Sequence, residues 1–229
     1  LYMHTGGNND TTRNLITGSG VLNAASLTTS NNGIYNFSVN QMNVTGNTSI
    51  GQPVNFLGGT VNLNGNSGFY NRTTIDGGTL NLVGAFRSNT NGAIYVNSGA
   101  LNLKSTATAV VGEENFNNTI QVLNVAAGAA VTVDTGAVAT IASATIAAPI
   151  VNKGTLTLSG TLAVSDLSSF TPTISGGSLT YVDADGNPSE NGYLSGTRKY
   201  TLIENTGTLN DDAITTVSGV TGTYVDGVL

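Results

Sequence analysis

A five-residue unit returns along this chain and limits the folds open to it: glycine, a small residue, then apolar, polar and apolar positions. Gly59-Thr60-Val61-Asn62-Leu63 recurs as Gly78-Thr79-Leu80-Asn81-Leu82 and as Gly99-Ala100-Leu101-Asn102-Leu103. Looser copies follow at Ala129-Ala130-Val131-Thr132-Val133, Gly154-Thr155-Leu156-Thr157-Leu158 and Gly177-Ser178-Leu179-Thr180-Tyr181, and a less regular one starts at Gly20. Alternation of apolar and polar residues is the mark of a half-buried strand. One short strand cannot bury its apolar side alone, but stacked copies can. A spacing of roughly twenty residues therefore reads as one turn of a coil of short strands joined by tight bends.

That reading fixes which side chains face where. Val61 and Leu63, Leu80 and Leu82, and Leu101 and Leu103 point inward; Asn62, Asn81 and Asn102 point to solvent, aligned as an exposed polar ladder able to take part in interactions. Further strands are expected at Thr73-Thr74-Ile75 and Ala93-Ile94-Tyr95-Val96, which precede their glycine marks by similar distances. Glycine pairs at 58–59, 77–78 and 176–177 supply the positive φ where one strand bends into the next. The Ala-rich segment 124–148 has helical propensity, yet its Val and Ile residues are interleaved with Thr and broken by Gly128 and Gly136, which favours strands. The expected fold is all-β, a parallel β-helix of roughly eight coils, on the order of 40 Å long. The repeat fades after about Tyr181, so the expected division is a solenoid over 1–180 and a hairpin-rich cap over 181–229.

Only 9% of the 229 residues are charged, while 39% are hydrophobic and 30 are glycine. Solubility must come from neutral Asn, Thr and Ser, which suits a surface of strands and turns. The formal net charge is −6 and the pI about 4.4. Seven scattered Lys and Arg cannot form the clustered basic face that nucleic acid or an anionic membrane needs. There is no cysteine, so disulfides and thiolate metal sites are excluded. No apolar run is long enough for a transmembrane helix and no signal peptide is visible. Leu1 is not an initiator Met, and the chain reads as a processed piece of a larger protein whose first residues are a truncated end.

The Gly-Gly-Thr-Leu-Asn-Leu repeat resembles passenger domains of Gram-negative autotransporters, including vacuolating-cytotoxin-like passengers. So do Gly196-Thr197-Arg198-Lys199-Tyr200-Thr201-Leu202-Ile203 and Thr221-Gly222-Thr223-Tyr224. The resemblance implies a right-handed parallel β-helix capped by hairpins and exported through an outer-membrane barrel. It places the chain outside the cell or on the bacterial surface. The barrel itself is missing from these 229 residues, which carry no Trp and no series of amphipathic strands with aromatic girdles.

Chemistry-bearing residues are sparse. His4 is the one histidine, and no Gly-x-Ser-x-Gly elbow occurs, which argues against a nucleophilic triad. A carbohydrate-active β-helix would need clustered carboxylates; the candidates are Asp76 with Arg72 and Arg87, and Glu113 with Glu114. Adjacent residues on a strand point to opposite faces, so the Glu pair serves poorly unless it lies in a loop. Solvated turn charges are the stronger reading of all five. Asp183, Asp185 and Asn187 have the oxygen-rich look of a calcium loop but lack the remaining ligands, and a structural turn is favoured. Tyr70, Phe86, Tyr95 and Phe116 either line a carbohydrate groove or fill the core, with the core favoured. No catalytic residue and no cofactor are expected.

Function then has to follow from shape. The expectation is a non-catalytic autotransporter passenger fragment acting in adhesion, autoaggregation or host interaction. Its partner is a host-cell surface or a second copy of itself, with carbohydrate a further candidate. The alternatives are a receptor-binding or oligomerising module of a vacuolating-type toxin, and a carbohydrate-active enzyme.

Overall fold

The computed structural model describes residues 2–4, 14–30, 33–106, 116–175, 181–182, 193–194, 197–214, 216–219 and 222–229. Among these residues every regular element is a β-strand and no helix forms. The Ala-rich segment is strand, as Leu123–Val125, Ala130–Val133 and Val138–Ile146.

The coil has three faces. On the first, Tyr35, Val54, Thr73, Ile94, Leu123, Ala144, Leu162 and Val217 stand in one parallel register, one from each successive coil. On the second, Met42, Val61, Leu80, Leu101, Val131, Ile150 and Ile203 do the same. The third face carries Leu27–Ser30, Thr48–Ile50, Ser67–Phe69 and Phe86–Ser88, then Thr119–Ile120 and its partners. The stack makes a β-solenoid of about seven turns. At roughly 4.8 Å per coil, seven turns span about 34 Å.

The core is the set of columns where these faces meet. Apolar residues at alternate strand positions are fully shielded, among them Phe37, Phe56, Met42, Leu63, Leu80, Leu82 and Ile94. Phe37 and Phe56 occupy the same position in adjacent coils, and their rings stack with centroids 5.5 Å apart. Equivalent residues therefore pack on one another along the axis, which is why the sequence must repeat them. A buried aliphatic or aromatic side chain contributes about 1.5–3 kcal/mol, and every coil supplies several.

The bends explain the glycines. Between the first and second faces, Gly59, Gly77 and Gly99 take φ of 69°, 102° and 85°, a region that a side chain resists. Between the second and third faces Gly46, Gly65 and Gly84 stack on each other. A Cβ on Gly84 would lie 2.3 Å from the Gly65 carbonyl oxygen, and one on Gly65 would lie 2.3 Å from Gly46.

The C-terminal part departs from the division expected at 181. After Thr155–Val164 the chain leaves the stack: Pro172–Ser175 pairs antiparallel with Thr197–Tyr200, and Tyr181–Val182 with Tyr193–Leu194. It then re-enters the solenoid. Ile203–Asn205 joins the second face, while Thr208–Asn210 and Thr216–Ser218 pair in parallel with Thr155–Val164. The antiparallel hairpin strands thus lie within an excursion between two solenoid coils. The returning strands carry one partial copy of the unit, Gly207-Thr208-Leu209-Asn210, which pairs with Thr155-Leu156-Thr157 but stands far outside the twenty-residue spacing. Residues 227–229 pack back on the returning chain: Leu202 and Ile203 donate their N–H groups to the Gly227 carbonyl, and Tyr200 and Leu229 exchange hydrogen bonds. On the N-terminal side Asn14–Ala24 pairs in parallel with Tyr35–Val44, and Leu15 and Val21 on it are more than half exposed.

Candidate functional site

The lateral surface is built by the outward half of the alternation. On the second face, Asn43 donates its amide to the Oδ1 of Asn23, Asn62 to Asn43, Asn81 to Asn62 and Asn102 to Asn81. The distances are 2.7–2.8 Å, and every donor points toward the N-terminal end. Parallel in-register strands put identical side chains at the strand-to-strand distance, and that spacing suits an amide-to-amide chain. Asn62, Asn81 and Asn102 thus form a ladder that Asn23 and Asn43 extend. Less of it is exposed than the alternation implies: Asn62 and Asn102 are half-buried and Asn81 is 8% exposed. The neighbours above and below cover the faces of each amide. The ladder stops at Thr132, which takes the next place in register.

A second, shorter ladder runs on the first face, where Asn55 donates to Asn36 at 2.8 Å. A third amide pair joins Asn152, which is fully buried and follows Leu103 and Val133 in an inward column, to the exposed Asn205 of the next coil. It donates to the Asn205 side chain and to the Thr208 carbonyl, and accepts from the Gly154 N–H. A buried amide at an apolar position is tolerated because its hydrogen bonds are made.

The charged candidates do not converge as a set. Asp76 is exposed on the first face and accepts from the Ser98 hydroxyl at 3.2 Å. Arg72 is exposed, and its guanidinium carbon sits 4.3 Å above the centre of the Tyr95 ring. Arg87 lies on the third face, where Nη2 donates to the Tyr70 hydroxyl at 3.2 Å and the group spans the Tyr70 and Phe116 rings at 5.4 and 5.7 Å. Among the described residues no ion pair joins Asp76 to Arg72; the pair that forms is Lys104 with Asp134, 3.3 Å apart. Glu113, Glu114, Asp183, Asp185 and Asn187 lie outside the described residues. Among the described residues no group of three or more His, Asp or Glu side chains is placed to hold a metal ion.

The aromatics divide. Phe86 is fully buried, as a core residue should be, whereas Tyr70, Tyr95 and Phe116 are half-buried on the outside with the two arginines. Core packing therefore describes one of the four. Tyr70 lies outside because its ring folds back over Gly68, where a Cβ would come within 2.6 Å of the Tyr70 hydroxyl. Nothing in a single strand announces these Arg–aromatic pairs, since each joins residues from neighbouring coils.

Farther along, a cavity of about 840 Å³ opens between Thr197–Tyr200 and the C-terminal residues, with Leu167, Val225, Leu229, Arg198 and Lys199 among its walls. No helix among the described residues is long and apolar enough to cross a membrane. The class of protein defined here is a parallel β-solenoid whose lateral faces carry polar ladders. No family model, no curated protein and no solved structure matches the chain.

Proposed function

We propose that the chain is a passenger fragment of the autotransporter type. It is displayed on the bacterial surface or secreted, and it acts without catalysis in adhesion, autoaggregation or contact with a host cell. The observation that carries this reading is the lateral surface: a continuous stack of parallel strands presenting neutral amide and hydroxyl ladders. Many weak, evenly spaced contacts over a long face suit adhesion better than turnover, which needs a few groups converging on one point. A facing copy of the same rod, or a host surface, is the partner. The chain is tested by fusing it to an outer-membrane barrel and scoring cell settling and attachment to host cells. Clumping or attachment is expected. If both are absent from cells that display the chain, the adhesive reading falls and a stalk role replaces it.

A second reading, a receptor-binding or oligomerising module of a vacuolating-type toxin, draws on Leu15 and Val21, large apolar side chains that stand exposed on the strand Asn14–Ala24. This reading expects concentration-dependent rings and binding to host cells without bacterial clumping, both scored by electron microscopy and flow cytometry.

A further inference from the structure

The excursion after Val164 is an insertion at one bend of the coil, and it walls a cavity. Ile146 stands in register with Val164 and Ile150 with Ile203, so both coils turn from the first face to the second at the same place. The earlier coil crosses that bend between Ile146 and Ile150, while the later one travels from Val164 to Ile203. The parallel register is unbroken across it, so the added length is not what aligns the coils. Insertions of this kind in a solenoid map to loops on one face, often the face that binds. Here Leu167 and the strand Thr197–Tyr200 form one side of the cavity of about 840 Å³, and residues 222–229 form the other. The two sides are tied together. Tyr200 and Leu229 exchange backbone hydrogen bonds of 2.9 and 3.0 Å. Val225 and Val228 exchange two more across a two-residue turn in which Asp226 and Gly227 take φ of 47° and 82°.

We infer that this cavity binds a free amphipathic carboxylate, an apolar chain ending in one anionic head, with Arg198 and Lys199 pairing the head and Leu167, Val225 and Leu229 covering the chain. None of these residues belongs to the amide ladders, so the site does not depend on the adhesive role of the lateral faces. The volume falls within the roughly 300–1,000 Å³ of small-molecule sites. Val225 is 58% exposed, more than any other large apolar side chain among the described residues, and its turn holds it there. An apolar chain entering the cavity takes that surface out of water. Charge selects the head. The net charge is −6 with only seven Lys and Arg, yet two of the seven are neighbours at this wall. Both are exposed, and neither forms an ion pair with a carboxylate among the described residues. Asp226 lines the same cavity without pairing to either. Two cations and one carboxylate match a monoanion and disfavour a dianionic phosphate. Because the walls are hydrogen-bonded to each other beforehand, little ordering is left to oppose binding.

The test titrates the whole chain by calorimetry with dodecanoate, dodecyl phosphate and dodecyl maltoside, each below its micelle concentration. Dodecanoate is expected to bind at a single site, about tenfold or more tighter than either of the others. The double variant Arg198→Gln/Lys199→Gln should weaken dodecanoate binding by about tenfold or more, as expected for losing charged hydrogen bonds. Its circular dichroism spectrum should be unchanged, because both side chains are exposed. Asp226→Asn removes the like charge and keeps a residue that tolerates positive φ, so it should tighten dodecanoate binding several-fold. Should the double variant fold poorly, Asp226→Asn carries the test of the charge match. The proposal is overturned if dodecanoate does not bind, or if the three probes bind alike, which would mark a bare apolar surface. It is also overturned if dodecyl phosphate binds tightest, if the double variant binds like the original chain, or if Asp226→Asn leaves dodecanoate binding unchanged or weaker.

Discussion

Replacing Asn81 by alanine removes the middle rung of the second-face ladder. Asn81 donates to Asn62 at 2.7 Å and accepts from Asn102 at 2.8 Å, so two amide hydrogen bonds are lost at once. A net contribution of about 0.5–1.5 kcal/mol per bond gives a range of roughly 1–3 kcal/mol. The orphaned groups on Asn62 and Asn102 are half-buried, so water re-partners them in part and places the expected loss near 1–2 kcal/mol. Asn23→Ala is the control: it ends the ladder, is exposed, and loses one bond, so about 0.5 kcal/mol is expected. Asn81→Asp separates donor from acceptor, since a carboxylate still accepts from Asn102 but faces the Asn62 carbonyl oxygen without a proton to give. It should be worse than alanine at neutral pH and partly recover in acid, where the protonated acid donates again. The assay is urea unfolding by circular dichroism, joined to hydrogen exchange of the flanking strands, because coils of a solenoid can open separately. Equal effects of Asn81→Ala and Asn23→Ala, or a gain in stability for the former, would refute the reasoning.

Four further outcomes follow from the same geometry. Phe56→Ala should cost about 3–5 kcal/mol in urea unfolding, because Phe56 is fully buried and stacks on Phe37. Gly84→Ala should destabilise by more than 1 kcal/mol, about the scale of a backbone conflict, since its Cβ meets the Gly65 backbone. Gly58→Ala, with open space at its Cβ, should be neutral or slightly stabilising; comparing the two thermal midpoints checks the bend. Tyr224 is pushed above the usual tyrosine range, first by burial and then by the Asp211 carboxylate beside it. Its contribution is fully present below the unfolded value of about 10 and is lost as pH rises toward the folded value. An ultraviolet titration should therefore show a late tyrosinate step that Tyr224→Phe abolishes, and a step at ordinary pH would contradict the burial. Asn152→Val should cost about 1–3 kcal/mol despite its apolar neighbours, since it strips partners from Asn205, Thr208 and Gly154; a stabilised variant would show that the buried amide is dispensable.

The repeat made the solenoid legible because stacking is a periodic problem. Each coil must present Val61-like and Leu63-like residues to the same column and a glycine to the same bend, so the periodicity is written directly into the residue order. Composition also told against nucleic acid and thiolate chemistry, since those need residues the chain lacks or scatters. The Asn ladder was legible as an alignment, for alternation alone puts Asn62, Asn81 and Asn102 on one side.

What the order of residues did not contain was the distance between coils that are not in repeat. The excursion after Val164 and the return at Ile203 were hidden, because the one copy of the unit there, Gly207-Thr208-Leu209-Asn210, is displaced from the regular spacing, and only pairing to Ile150–Asn152 and Thr155–Val164 shows where the returning strands belong. The Arg72–Tyr95 and Arg87–Tyr70 pairs were hidden for the same reason: each joins residues about twenty positions apart across a bend. The sequence by itself determined that this chain buries its apolar residues by stacking strands, since period and alternation are local. Which outward side chains meet, and how far each amide is covered, was decided only when the coils were set one strand-spacing apart.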